Sequence, residues 1–252
     1  MFENFKVMKI TNLLSCTSLL AAISLSAPVE YSSNATISSY VEYNSDIPGW
    51  ARPTFPELYQ TCNSTKRRIL QSFIEDSLEV SAYAKDRLLN YGAEDVFFQR
   101  WFGNGSIITV LGTLDHLVEA SKAGFVFRCD DIDGLCLKNP TTYPGYHRQT
   151  ADKETVICDL FFQSKKPLVN ICYEGAIKDV GPKHYAGVDI LHRYLHISSM
   201  NMNGFIGEFV EEFDDLAEFA SGNSTFAVRN VDSYLYYMAD VYSSSVVPGG
   251  CL

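Results

Sequence analysis

The sequence predicts a single α+β domain in which helices dominate, joined by a small sheet and three disulfides. Three observations carry that expectation. Apolar residues recur at helical spacing over residues 64–91, 107–123 and the last third of the chain, while two short central segments are β-branched and aromatic. Of seven cysteines, six remain once a leader containing Cys16 is set aside, an even set suited to an oxidising compartment. Hydrophobic residues make up 46% of the chain, with 16 Phe and 15 Tyr, enough to fill one large core.

The elements follow in order. Lys6 and Lys9 precede an uncharged, mostly apolar run from Ile10 to Ala27, which is the layout of a cleaved secretory signal over residues 1–27. Cleavage after Ser24 or Ala27 places the mature start between Leu25 and Tyr31. Residues 28–52 are Ser, Asn, Tyr and acidic residues without a period, a flexible lead-in to a domain over 53–252. In that domain Ile69, Phe73, Ile74, Leu78, Val80, Ala84, Leu88 and Leu89 predict a long amphipathic helix over 64–91, stopped by Asn90-Tyr91-Gly92. A second helix fits 107–123, closed by Gly124. Residues 125–129 and 155–162 read as strands, separated by a loop rich in Asp, Pro and Gly. Asp130-Asp131-Ile132-Asp133-Gly134 in that loop lacks the remaining spacing and terminal Glu of an EF-hand, and reads as a disulfide-braced acidic turn. Further helices are expected at 183–197, 204–220 and 230–243.

Charge and covalent signals agree on the compartment. The net charge of −10 disfavours nucleic acid and anionic membranes and favours cations. No later stretch approaches the ~20 apolar residues needed to cross a bilayer, and Gly249-Gly250-Cys251-Leu252 is no hydrophobic tail, so no membrane insertion is expected. Asn34-Ala35-Thr36, Asn63-Ser64-Thr65, Asn104-Gly105-Ser106 and Asn223-Ser224-Thr225 are glycosylation acceptors. Connectivity among six cysteines is open to fifteen pairings. Short local loops would join Cys129 to Cys136 and Cys158 to Cys172, leaving Cys62 for Cys251. A cysteine zinc site is disfavoured, since the sequence holds no Cys-x-x-Cys pair.

The chemistry centres on His192-Arg193-Tyr194-Leu195-His196. Residues four apart share one helix face, so His192 and His196 can present two imidazoles to one Zn2+. A catalytic-type zinc site takes three protein ligands and an open position. A downstream carboxylate is the natural third, and the helix expected at 204–220 places Glu208 and Glu212 together on one flank. Glu208 is the first choice for the metal and Glu212 the alternate. His184, two turns before His192, is a possible extra ligand but reads better as a satisfied loop histidine. His116 and His147 are assigned structural roles.

The segment from Asp189 to His196 resembles the HRxxH signature of a fungal putative-peptidase family, the group of the yeast pH-regulated and zinc-regulated cell-surface proteins and a mould allergen. Arg100-Trp101-Phe102-Gly103-Asn104-Gly105, Phe127-Arg128-Cys129-Asp130-Asp131, Thr155-Val156-Ile157-Cys158-Asp159 and the stretch from Asp240 to Leu252 resemble it too, so that coverage runs from about Pro53 to Leu252. The family is similar in turn to deuterolysin-type metallopeptidases, whose helix carries HExxH. Asn230-Val231-Asp232-Ser233-Tyr234 resembles one of their stretches, which implies a zincin-like fold. The resemblance implies a secreted protein that captures zinc under zinc limitation or at alkaline pH, with a plasma-membrane zinc transporter or host extracellular proteins as partners. The alternative is a secreted zinc endopeptidase with a non-standard base. Where HExxH has its catalytic Glu this chain has Arg193, and a guanidinium stays protonated and cannot serve as a base. Asp189, one turn before His192, is then a candidate to pair with Arg193, to orient His192 or to act as a substitute base.

Overall fold

The computed structural model describes residues 54–252. The expected signal segment, the lead-in and the Asn34 acceptor lie outside the described residues. In chain order the elements are β1 (Glu57–Leu58), α1 (Ser64–Tyr91), α2 (Val96–Phe102), α3 (Ile107–Glu119), β2 (Val126–Arg128), α4 (Leu135–Lys138), β3 (Gly145–His147), β4 (Glu154–Ile157), α5 (Asp159–Ser164), α6 (Ile177–Val180), α7 (Ala186–Tyr194), α8 (Phe213–Gly222), α9 (Ser224–Ala227) and α10 (Val231–Val246). The four strands form one sheet in the order β1-β2-β4-β3, parallel except for the β3–β4 pair, which leaves β3 at an edge.

Helix α1 has the bounds its periodicity predicts, because both ends are encoded locally. The Asn63 side chain accepts from Lys66 N at the start, and Gly92, at φ 70°, ends the helix with its N–H on Leu88 O. Its face carrying Leu70, Phe73, Ile74, Val80, Ala84 and Leu88 is buried, and α1 packs on α7, α3 and α10. The approach to α7 is close enough that a Cβ at Gly187 would stand 2.7 Å from Asp76 Cβ, so glycine there lets the site-bearing helix sit directly on the core. Helix α10 is buried on every side from Val231 to Ser243. Its polar residues are therefore partnered within the protein, as where Asp240 accepts from Arg100 Nη1 at 2.5 Å and Trp101 Nε1 at 3.0 Å.

Four expectations are corrected. The disulfides are Cys62–Cys129, Cys136–Cys158 and Cys172–Cys251, none of them the local pairing that short loops suggested. The reason is sheet topology: β1 and β2 pair in parallel, Cys129 directly follows β2 and Cys62 follows β1 after a short turn, which brings the two to a Cα separation of 4.8 Å across 67 residues. The helix expected over 183–197 is a short 3-10 turn at Pro182–His184 followed by α7, because Ala186 N and His184 O are bonded to Lys166 across a bridge. The helix expected over 204–220 begins only at Phe213. Met202, Asn203 and Gly204 all have positive φ, and Gly207 bridges to Asn230, so residues 205–212 run across the molecule without helical bonding. The second predicted strand likewise stops at Ile157 and gives way to α5. The acidic turn is braced from within: Asp130 accepts from Arg128 and Thr61, Asp131 from Cys136 N, Leu137 N and Tyr146, and Asp133 from Arg148.

Candidate metal centre

Helix α7 presents two chemically different faces. On its inner face Asp189 is 2% exposed and Arg193 5% exposed. Arg193 Nε donates to Asp189 Oδ2 at 2.7 Å, and Lys165 Nζ pairs with Oδ1 at 2.9 Å. The guanidinium lies over the Phe161 ring and against the sheet edge, where a Cβ at Gly145 would come within 2.6 Å of Nη1. Burial pushes the Asp189 carboxyl up, but the cations of Arg193 and Lys165 outweigh it and hold the acid ionised, below its usual range. Both oxygens are thus committed to cations. Of the roles weighed for Asp189, the geometry fits the partner of Arg193.

On the outer face His192 and His196 project from one turn, although α7 proper ends at Tyr194 and His196 sits in the closing turn, its N–H on Arg193 O. The two Nε2 atoms are 3.2 Å apart. Glu208 Oε1 stands 2.7 Å from His192 Nε2 and 3.8 Å from His196 Nε2. Tetrahedral zinc with ligand bonds near 2 Å sets its ligands about 3.3 Å apart, a separation that these three distances bracket. Three lone-pair atoms so close repel one another unless a proton or a metal ion lies among them, and among the described residues this trio is the group that could hold a metal. Its side chains are 19%, 40% and 34% exposed for His192, His196 and Glu208, which leaves one side open to solvent.

The electrostatics suit a cation. Burial, with His192 next, pushes the His196 imidazolium down to about 4, so the ring is neutral with a free lone pair at neutral pH. The hydrogen bond with His192 outweighs burial at Glu208 and holds its carboxyl at about 2. Glu212 lies outside the trio, exposed at the N-cap of α8. His184 sits edge-on to Tyr185 and His116 Nε2 bonds Ser199 O at 2.9 Å, both apart from the trio.

Neighbours of the trio come from parts of the chain that the sequence did not assign to the site. His147, on β3, stacks at 6.3 Å on the His196 ring, and its Nδ1 is buried without a hydrogen-bond partner among the described residues. Lys183 Nζ is 3.1 Å from buried Asp232 and 3.7 Å from Glu211, which adds a positive charge near Glu208. Asn230 holds the segment that carries Glu208. The stretch from Asn230 to Tyr234 was marked by its resemblance, but its roles depend on contacts distant in sequence, with Phe209 and Val210 for Asn230 and with Lys183 for Asp232.

The profile of the HRXXH Putative peptidase family matches residues 11–252. The chain belongs to that family. Its relatives there include Protein ZPS1 of Saccharomyces cerevisiae, 57% identical over 88% of this chain and 89% of that protein. The pH-regulated antigen PRA1 of Candida albicans is 35% identical over 76% of this chain and 64% of its own length, and Major allergen Asp f 2 of Aspergillus fumigatus 28% identical over 79% and 64%. Among solved structures a zinc peptidase from Grifola frondosa matches with a TM-score of 0.50, 14% identity, 71% of this chain and 97% of that one. That likeness establishes a zincin-like fold for the HRXXH chain. Among the described residues no helix is long and apolar enough to cross a membrane.

Proposed function

We propose that His192, His196 and Glu208 bind one zinc ion with a coordination position left open, and that the protein captures zinc outside the cell. The observation that carries this reading is the division of α7 into two faces. The outer face gathers two imidazoles and a carboxylate at metal-ligand spacing. The inner face holds Arg193, at the position where HExxH peptidases have their base, locked to Asp189. A zinc held there would polarise a bound water, but no carboxylate is available at position 193 to take its proton. Binding is therefore favoured over hydrolysis. The net charge of −10 draws cations to the surface, and the three disulfides suit an oxidising compartment. Secretion through the segment 1–27, glycosylation at the acceptor asparagines, and delivery of zinc to a plasma-membrane transporter or engagement of host extracellular proteins complete the proposal.

Calorimetric titration of the metal-free protein is expected to give about one tight zinc per chain, lost in His192→Ala with His196→Ala. Tight binding that survives both changes would refute the site. The peptidase alternative draws on the fold of the Grifola frondosa enzyme. Incubation with a broad peptide library distinguishes the two: the capture reading expects no cleavage, and chelator-sensitive cleavage would establish the alternative in its place.

A further inference from the structure

Asn230 is the N-cap residue of α10, yet its side chain makes no capping bond to that helix, the common use of Asn at such a position. The carboxamide is turned instead toward the chain that carries Glu208. Its Oδ1 accepts from Phe209 N at 2.9 Å and Val210 N at 3.1 Å, while Nδ2 donates to Val210 O at 2.8 Å and to Ser233 Oγ at 3.1 Å. The residue is fully buried, and both ends of its carboxamide are used. On the other side of Glu208, Gly207 N donates to Arg229 O and Gly207 O accepts from Val231 N. Glu208 is therefore the one residue between two anchored points, in a segment that has no helix or strand of its own.

We propose that Asn230 is the positioning residue of the metal centre: by standing in for a neighbouring strand, its carboxamide fixes residues 207–210 so that the Glu208 carboxylate faces the His192 and His196 pair. The inference rests on the zinc reading above and adds to it how the third ligand is held. A ligand carried on an unfixed segment occupies its binding position only part of the time, and affinity falls by that fraction. Loss of a supporting hydrogen-bond partner at a metal site commonly weakens binding by 10–100-fold.

The test is a double-mutant cycle on the full chain, with zinc affinity read by competition with a chromophoric chelator. Asn230→Ala is expected to weaken zinc binding about tenfold in the native background and less than about twofold in a Glu208→Ala background, because a residue acting through Glu208 has nothing left to position. An equal loss in both backgrounds, or none in the native one, overturns the assignment. Should Asn230→Ala fail to fold, amide exchange on the metal-free native chain decides: the Phe209 and Val210 amides are expected to exchange far more slowly than in an open coil, and coil-like exchange overturns the clamp. Failure of the zinc reading itself looks different, since binding would then survive the loss of both histidines whatever the state of these amides.

Discussion

His192 and His196 stand one turn apart at the end of a helix, so backbone geometry alone sets the distance between them. Glu208 arrives from the irregular segment 205–212, which owes its path to Gly207 and Asn230. The first half of the site is local and rests on a buried bed, with Asp189, Arg193 and Lys165 beneath it and Gly187 seated on α1. The second half is non-local and half-exposed, and contacts distant in sequence hold it. A metal bound between the two would couple a rigid wall to a tethered arm. Stability should therefore be lost through the wall and affinity through the arm.

The most severe way to test that division is to restore the peptidase motif. Arg193→Glu would place a second carboxylate beside buried Asp189 and break the ion pair, which is expected to cost about 3–5 kcal/mol of folding stability. Chemical denaturation would register the loss, and no peptidase activity should appear. A well-folded variant of native stability would mean that Arg193 is not part of the bed.

In the arm, Glu208→Ala is expected to weaken zinc by more than about 100-fold, beyond what loss of a supporting partner causes, with little change in the melting temperature of the metal-free protein. Glu212→Ala, remote from the trio, should leave affinity within about twofold of native, the usual outcome at a surface position. The reverse ranking in chelator competition would move the third ligand to α8.

The smallest expected effect lies under the wall and depends on pH. Burial raises the Asp76 carboxyl from 3.8 to about 6 in the folded chain. The folded state thus holds that proton more tightly than the unfolded one, and this residue's contribution to stability falls as pH rises from about 4 through 6. Asp76→Asn can keep the acceptor for Leu168 N and should flatten the slope, gaining about 1 kcal/mol at pH 7 once partial exposure is allowed for. Denaturation midpoints at pH 4.5 and 7 check it, and a loss of stability at pH 7 would show that the charge itself is needed.

What could be read from the sequence follows the same division. Helix α1 was legible to the residue, since its cap, its apolar period and its terminal glycine lie within one segment. The histidine pair was legible because four residues make one turn, and Glu208 could be named as a candidate third ligand from its position downstream. Its setting could not be read. Phe205, Ile206, Phe209, Val210, Phe213 and Leu216 have helical spacing, but the amides of Phe209 and Val210 go to Asn230 and the helix starts only at Phe213. Strands β1 and β3 are too short to show a period.

By itself, then, the sequence determined the helix-dominated class, the even set of cysteines, the HRxxH pair and the absence of a base at position 193. These are matters of composition, local period and residue chemistry, and they need no partner distant in the chain. Tertiary structure alone decided which cysteines meet, that Arg193 faces Asp189 and the sheet, and that Glu208 reaches the histidines. In each case the deciding contact joins separate elements, and hydrogen bonds available only after those elements pack outweigh the local preference of the segment.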